Sequence, residues 1–278
     1  MEITVLTGIL VALCGIGVGI LSAMFGIGGG IVMVPLIHIV FGQPAAVSSG
    51  TSLFAILPTS IAGMVARLHD GTIRFRIGVV VGVAGACLSP LGAVAAKHLP
   101  GIYAMVLTGV FILYTAYNMF RRWWRTRPQA QPVSRAQATA RSAKAPLLDE
   151  SARDARFYGG CVALGAIVGF LSGYLGLGGG FIIVPILQAA FGLTMKQSTG
   201  TSLVAVGILA VPSFVTHAIL GDVAWLIGIL LIVGSVVGAR LGAQILRRVN
   251  DRALTGLFGV VLVLAGVIMV VREFVIGE

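Results

Sequence analysis

Two hydrophobic runs in this sequence are interrupted in the same way. Residues 25–36 read FGIGGGIVMVPL and residues 175–186 read LGLGGGFIIVPI, with four glycines in five positions each time. Glycine is about 1 kcal/mol less favourable than alanine inside a helix. The surrounding segments are uncharged runs of about 20 residues, the length that crosses a hydrocarbon core roughly 30 Å thick. Lipid cannot hydrogen-bond an interrupted backbone. Such a break survives at membrane depth only where protein encloses it or where it lines a polar cavity.

The composition places the chain in the membrane. Over 278 residues it is 58% hydrophobic and 10% charged, with a mean hydropathy of +1.04, so the expected fold class is an all-α polytopic membrane protein. Met1-Glu2-Ile3-Thr4 lacks the basic flank of a signal peptide, and the first segment is expected to stay as a membrane helix. Cys14, Cys87 and Cys161 lie singly in apolar segments, which indicates neither a disulfide framework nor a metal site. The motif G-x-G-G-G is followed by no Lys-Ser/Thr and no soluble β-α pattern, so no nucleotide and no other cofactor is implied.

The net charge of +10 is unevenly spread: residues 121–157 hold nine of the nineteen Lys and Arg. That stretch is rich in Ala, Gln, Pro and Arg without hydrophobic periodicity, and reads as a polar linker. Beside membrane helices a basic loop is a cytoplasmic signal in contact with anionic lipid, rather than a nucleic-acid site.

Shifted by 150 residues, the sequence matches itself without a gap. Gly19 falls on Gly169, Ser22 on Ser172, Gly28 to Gly30 on Gly178 to Gly180, Pro35 on Pro185, and Ser48-x-Gly50-Thr51-Ser52 on Ser198-x-Gly200-Thr201-Ser202. The expected domains are a first membrane repeat at 1–120, the linker at 121–157, and a second repeat at 158–278. Each repeat has five apolar segments, near 3–24, 31–41, 46–66, 77–97 and 101–120, then 158–175, 181–191, 197–219, 223–246 and 253–272. The second of each set is short and follows the glycines, as a broken helix or re-entrant hairpin would. Positive charge changes loops between the repeats. Arg67, Arg74 and Arg76 follow the third segment of the first, whereas Arg247, Arg248 and Arg252 follow the fourth segment of the second. This predicts inverted repeats with both termini outside.

Inverted repeats with matching interrupted helices point to a transporter site near the midplane. The glycines expose backbone N–H groups at helix N-termini, which suit an anion. Close helix packing explains Gly15, Gly17, Gly19 and Gly169 but fits the triple glycines poorly. The predicted substrate contacts are Gly28, Gly29, Gly30, Gly178, Gly179 and Gly180. They are joined by the hydroxyls of Ser48, Ser49, Thr51, Ser52, Ser198, Thr199, Thr201 and Ser202. Arg240, about 10 Å deeper than Arg247 on one helix, is a further anion contact unless it snorkels to the headgroups. All nine acidic residues lie in loops or at segment ends, leaving His38, with its counterpart Gln188, as the candidate coupling or polar contact inside a segment.

The pattern G-x-G-G-G-x-x-x-x-P followed by S-x-G-T-S in each half resembles the TauE/SafE sulfite exporter family, also called the TSUP permeases. So does Gly238-Ala239-Arg240-Leu241-Gly242. The resemblance covers both repeats and not the linker. It implies a bacterial inner-membrane transporter or permease for sulfite, sulfonates or related small organic anions. Two other readings compete: a structural or lipid-binding membrane protein, and an intramembrane serine hydrolase built on Ser172 and His217. Against the hydrolase, Ser22 repeats the serine in the other half, where the residue matching His217 is Arg67. Matching half-sites suit a transport path better than a single nucleophile.

Overall fold

The computed structural model describes residues 5–98, 113–117, 119–121, 124 and 155–276. Most of the predicted fifth segment at 101–120, and the linker up to residue 154, lie outside the described residues. Among those described there is no strand. The helices are α1 (Val5–Phe25), α2 (Gly30–Phe41), α3 (Ala45–Arg67), α4 (Phe75–His98), α5 (Ala155–Leu175), α6 (Gly180–Phe191), α7 (Met195–Ile219), α8 (Trp225–Arg248) and α9 (Asp251–Ile276). Among the described residues, five stretches, in α3, α4, α5, α7 and α8, are long and apolar enough to cross a membrane. The all-helical polytopic class is as expected.

The short helices owe their length to glycines at both ends. Gly29 and Gly179 precede α2 and α6, and Gly42 and Gly192 close them in left-handed geometry, with cap N–H groups returned to the carbonyls of Ile37 and Leu187. Twelve residues span about 18 Å, roughly half a bilayer core.

The helices of the two halves interleave. The first helix of each half packs most extensively on the fourth helix of the other, α1 on α8 and α5 on α4. Gly165, Gly169 and Gly173 of α5 lie against Val81, Gly85 and Ser89 of α4, so these two run parallel. Gly234, Gly238 and Gly242 of α8 lie in the same order against Ala12, Ile16 and Ile20 of α1. At the centre α3 and α7 run antiparallel, with Ser60 beside Gly207, Gly63 beside Leu203, and Arg67 beside Gly200. Contacts of Thr59 with Ser235 and of Gly78 with Thr201 set α8 parallel to α3 and α4 parallel to α7. Thus α1, α3 and α8 point one way, and α4, α5 and α7 the other. The core between them is apolar, built around Phe25, Ile56, Phe181, Val206 and Phe258.

Glycine permits these backbone approaches. A β-carbon at Gly169 would stand 2.1 Å from the carbonyl oxygen of Gly85, whereas one at Gly17 would meet nothing within 4 Å. Packing therefore explains Gly169 as expected, but not Gly17. Replacing Gly169 by leucine is expected to destabilise the protein by about 3 kcal/mol or more, while Gly17→Leu leaves it unchanged. Thermal unfolding in detergent checks the contrast.

Candidate functional site

The two breaks are local consequences of glycine geometry. Gly28 and Gly29 have φ of 77° and 89°, and Gly178 and Gly179 have φ of 74° and 67°, a region that costs other residues about 1–2 kcal/mol. The chain leaves α1 after Gly26, whose N–H donates to the Ser22 carbonyl at 2.8 Å, and the next paired amides are those of Val32 and Met33, which donate to Gly29. Between them, the amides of residues 27–31 make no hydrogen bond of good geometry among the described residues. The second break repeats this at 177–181, between Gly176 and Ile182. All ten residues are buried. Unpaired amides at a helix N-terminus carry the positive end of its dipole.

The breaks also touch each other. A β-carbon at Gly30 would lie 2.4 Å from the Leu177 carbonyl oxygen, and one at Gly180 would lie 2.3 Å from that of Gly26. Val206 and Ile56, near the middles of α7 and α3, pack on Gly28 and Gly178. Close approach is therefore part of what the triple glycines do, a role the sequence reading had set aside for them.

The predicted hydroxyl cluster lies at this junction, and most of it is engaged by protein. Ser202 Oγ donates to the Gly26 carbonyl at 2.7 Å, and Ser52 Oγ to the Gly176 carbonyl at 2.8 Å, so each half's serine satisfies the other half's break. Ser49 donates to the Leu175 carbonyl and Ser48 to that of Gln43. Thr51 and Thr201 accept from the amides of Ala224 and Arg74. Thr199 donates to the Lys196 carbonyl and accepts from Arg67. Only Ser198 of the eight has no hydrogen-bond partner.

Arg67, read from sequence as a loop residue, is instead completely enclosed at the end of α3. Its guanidinium donates to Thr199 Oγ1 at 3.0 Å, the Lys196 carbonyl at 2.5 Å and the Ala23 carbonyl at 3.3 Å. Its Nε has no partner, and among the described residues no carboxylate makes an ion pair with it. The nearby Asp70 is engaged with Arg247 at 3.0 Å. Burying a cation costs several kcal/mol unless it is compensated; here two carbonyls, the Thr199 hydroxyl and the more distant charges of Asp70 and Asp251 help. The equivalent His217 is also buried, with Nε2 3.5 Å from the Gly173 carbonyl and Nδ1 3.7 Å from Asp222 Oδ2. One sequence signal was available: positions 67 and 217 correspond under the 150-residue shift.

The other predicted residues lie elsewhere. Arg240 is exposed on α8, in an outward groove lined by Pro58, Ile61, Val65 and Arg247 and by no residue of either break. His38 Nδ1 bonds the Gln43 carbonyl, and Gln188 Nε2 contacts Met195 Sδ. Both thereby fasten the far ends of the short helices to the helices that follow. Among the described residues no cluster suits a metal ion.

Comparison with known proteins gives a consistent picture. The family model described as sulfite exporter TauE/SafE matches residues 11–269. A probable membrane transporter protein, YunE of Bacillus subtilis, is 26% identical over 223 residues, covering 79% of each chain. A probable membrane transporter protein of Xylella fastidiosa is 26% identical over 241 residues, covering 86% of this chain and 85% of its own. No solved structure matches.

The reciprocal serine bonds give a direct stability test. Ser52→Ala or Ser202→Ala leaves a buried carbonyl unpaired, and each is expected to destabilise by about 1–3 kcal/mol. Ser198→Ala removes no bond and is expected to stay within about 0.5 kcal/mol of the parent. Denaturant unfolding of the three variants measures the difference.

Proposed function

The chain belongs to the sulfite exporter TauE/SafE family, and from that membership we propose a secondary transporter or uncoupled permease for sulfite, sulfonates or related small anions. One observation carries the reading: ten amides of buried residues, five at each break, that make no hydrogen bond of good geometry among the described residues and are held together halfway along the crossing helices. Each unsatisfied buried donor costs about 1–3 kcal/mol, and an anion passing between the repeats would satisfy several at once. Gly28 to Gly30 and Gly178 to Gly180 supply the donors. The serines and threonines of the third helices build the frame that holds them. Arg67 supplies a fixed positive charge one turn away, through Thr199 and Ala23.

The proposed topology is inverted, with the linker cytoplasmic and the protein in the bacterial inner membrane. The opposite directions of α3 and α7 support it, as does the exchange of basic loops.

Two experiments test this. Liposomes containing only this protein should release entrapped sulfite faster than empty ones. Arg67→Gln should weaken apparent affinity roughly tenfold or more, the loss of a charge-assisted contact, with Arg67→Lys retaining part. Sulfite, sulfonate and carboxylate flux all equal to that of empty liposomes would exclude transport of this class. For topology, cysteines replace Phe75 or Trp225, the first residues of α4 and α8, in a background lacking Cys14, Cys87 and Cys161. An impermeant maleimide applied outside should modify the Trp225→Cys variant and spare the Phe75→Cys variant. Equal labelling would rule out inversion.

A further inference from the structure

Ser22 of α1 and Ser172 of α5 each stand four residues before the first glycine of a break, in equivalent positions of the two halves. Both are enclosed, at 0% and 1% exposure, and neither hydroxyl has a hydrogen-bond partner. A hydroxyl inside a helix ordinarily bonds the carbonyl one turn back, as Thr59, Thr216 and Thr255 do here at 2.7–2.8 Å. Ser22 and Ser172 do not, and the omission occurs at both equivalent sites.

Their helix face is turned to the break. Val18, one turn before Ser22, packs with Cγ1 3.0 Å from where a β-carbon of Gly29 would stand. In the other half Val168 takes the same place at 2.4 Å from the Gly179 position, and Ser172 Cβ lies 3.4 Å from it. Ser172 therefore borders the amides of its break, and Ser22 holds the equivalent position in the other half. The carbonyls of residues 22, 26, 29, 172, 176 and 179 already accept bonds from protein donors. The amides and the serine hydroxyl beside each break are donors, which suit a ligand rich in acceptor oxygens.

We propose that Ser22 and Ser172 are ligand-binding residues. Each completes, with the amides of residues 27–31 or 177–181, one of two equivalent half-sites for a small oxyanion of the sulfite or alkylsulfonate class. The inference rests on the transport reading and adds to it the hydroxyl contacts. Ser198 and Ser213 also have unpaired hydroxyls, but neither is matched in the other half. Ser48 bonds Gln43, and position 63 is glycine.

The test uses the full-length protein in lipid nanodiscs, titrated calorimetrically with sodium sulfite and methanesulfonate. Wild type should bind both. Ser22→Ala and Ser172→Ala should each weaken sulfite binding roughly ten- to a hundredfold. Their unliganded unfolding temperatures should stay at the wild-type value, since no protein bond is lost, and Ser213→Ala should bind as wild type does. Wild-type affinity in the Ser22→Ala/Ser172→Ala double variant would overturn the inference while leaving transport intact. So would lower unfolding temperatures with unchanged affinity, which would mark the serines as structural. A wild-type protein that neither binds nor moves these anions would overturn the transport reading and this inference together.

Discussion

An interrupted backbone at membrane depth must have its carbonyls and amides satisfied by something other than lipid, and the rest of this structure follows from how that is done. Ser202 of the second half bonds the Gly26 carbonyl, and Ser52 of the first bonds that of Gly176. Neither half can complete its own break. The halves must therefore interlock, and they do so throughout: α1 lies on α8, α5 on α4, and α3 crosses α7 at the junction. The Gly26 and Gly176 carbonyls are thus closed by the opposite half, while the amides at 27–31 and 177–181 make no such bond.

Interlocking at this density needs helices whose backbones almost touch. Gly15 and Gly19 meet Leu231, Gly234 and Ser235, and Gly165 and Gly169 meet Val81 and Gly85. In lipid such contacts gain from packing rather than from apolar burial, which favours small residues at the seam. The outward faces carry Leu10, Ile61, Val65, Ile167, Val233 and Leu264, all well exposed in the isolated chain. These are the residues that face hydrocarbon in a membrane protein, so their exposure is consistent with the fold and does not indicate a missing partner.

Much of this was legible in the sequence because it depends on periodicity and duplication. The segment boundaries, the short second helices and the correspondence of Ser52 with Ser202 all follow from the 150-residue shift. What escaped depends on which way side chains turn. Arg67 ends its helix beside two other arginines and reads as part of a basic loop, yet it turns inward to Ala23, Lys196 and Thr199. Arg240 lies deep in an apolar segment and reads as an internal charge, yet its face of α8 turns outward. Helical position alone does not distinguish these cases, since seven residues return to nearly the same face and the facing neighbour decides. The hydroxyl cluster lies beside the breaks, and most of it bonds to protein. Its bonds to the opposite break were not foreseeable, because they depend on which half packs against which.

The duplication is imperfect where charge is concerned. Position 67 is arginine and its equivalent 217 is histidine; position 72 is threonine and 222 aspartate; position 90 is proline and 240 arginine. Around the breaks themselves the two halves agree in every glycine and in the serines at 22, 52, 172 and 202. If the halves were identical, the centre would look the same when approached along α3 or along α7. Here the centre is close to symmetric while its flanks are not. One flank holds a guanidinium that stays charged at any physiological pH. The other holds an imidazole next to a carboxylate, 3.7 Å apart. The two approaches to the centre, along α3 and along α7, are therefore chemically distinct.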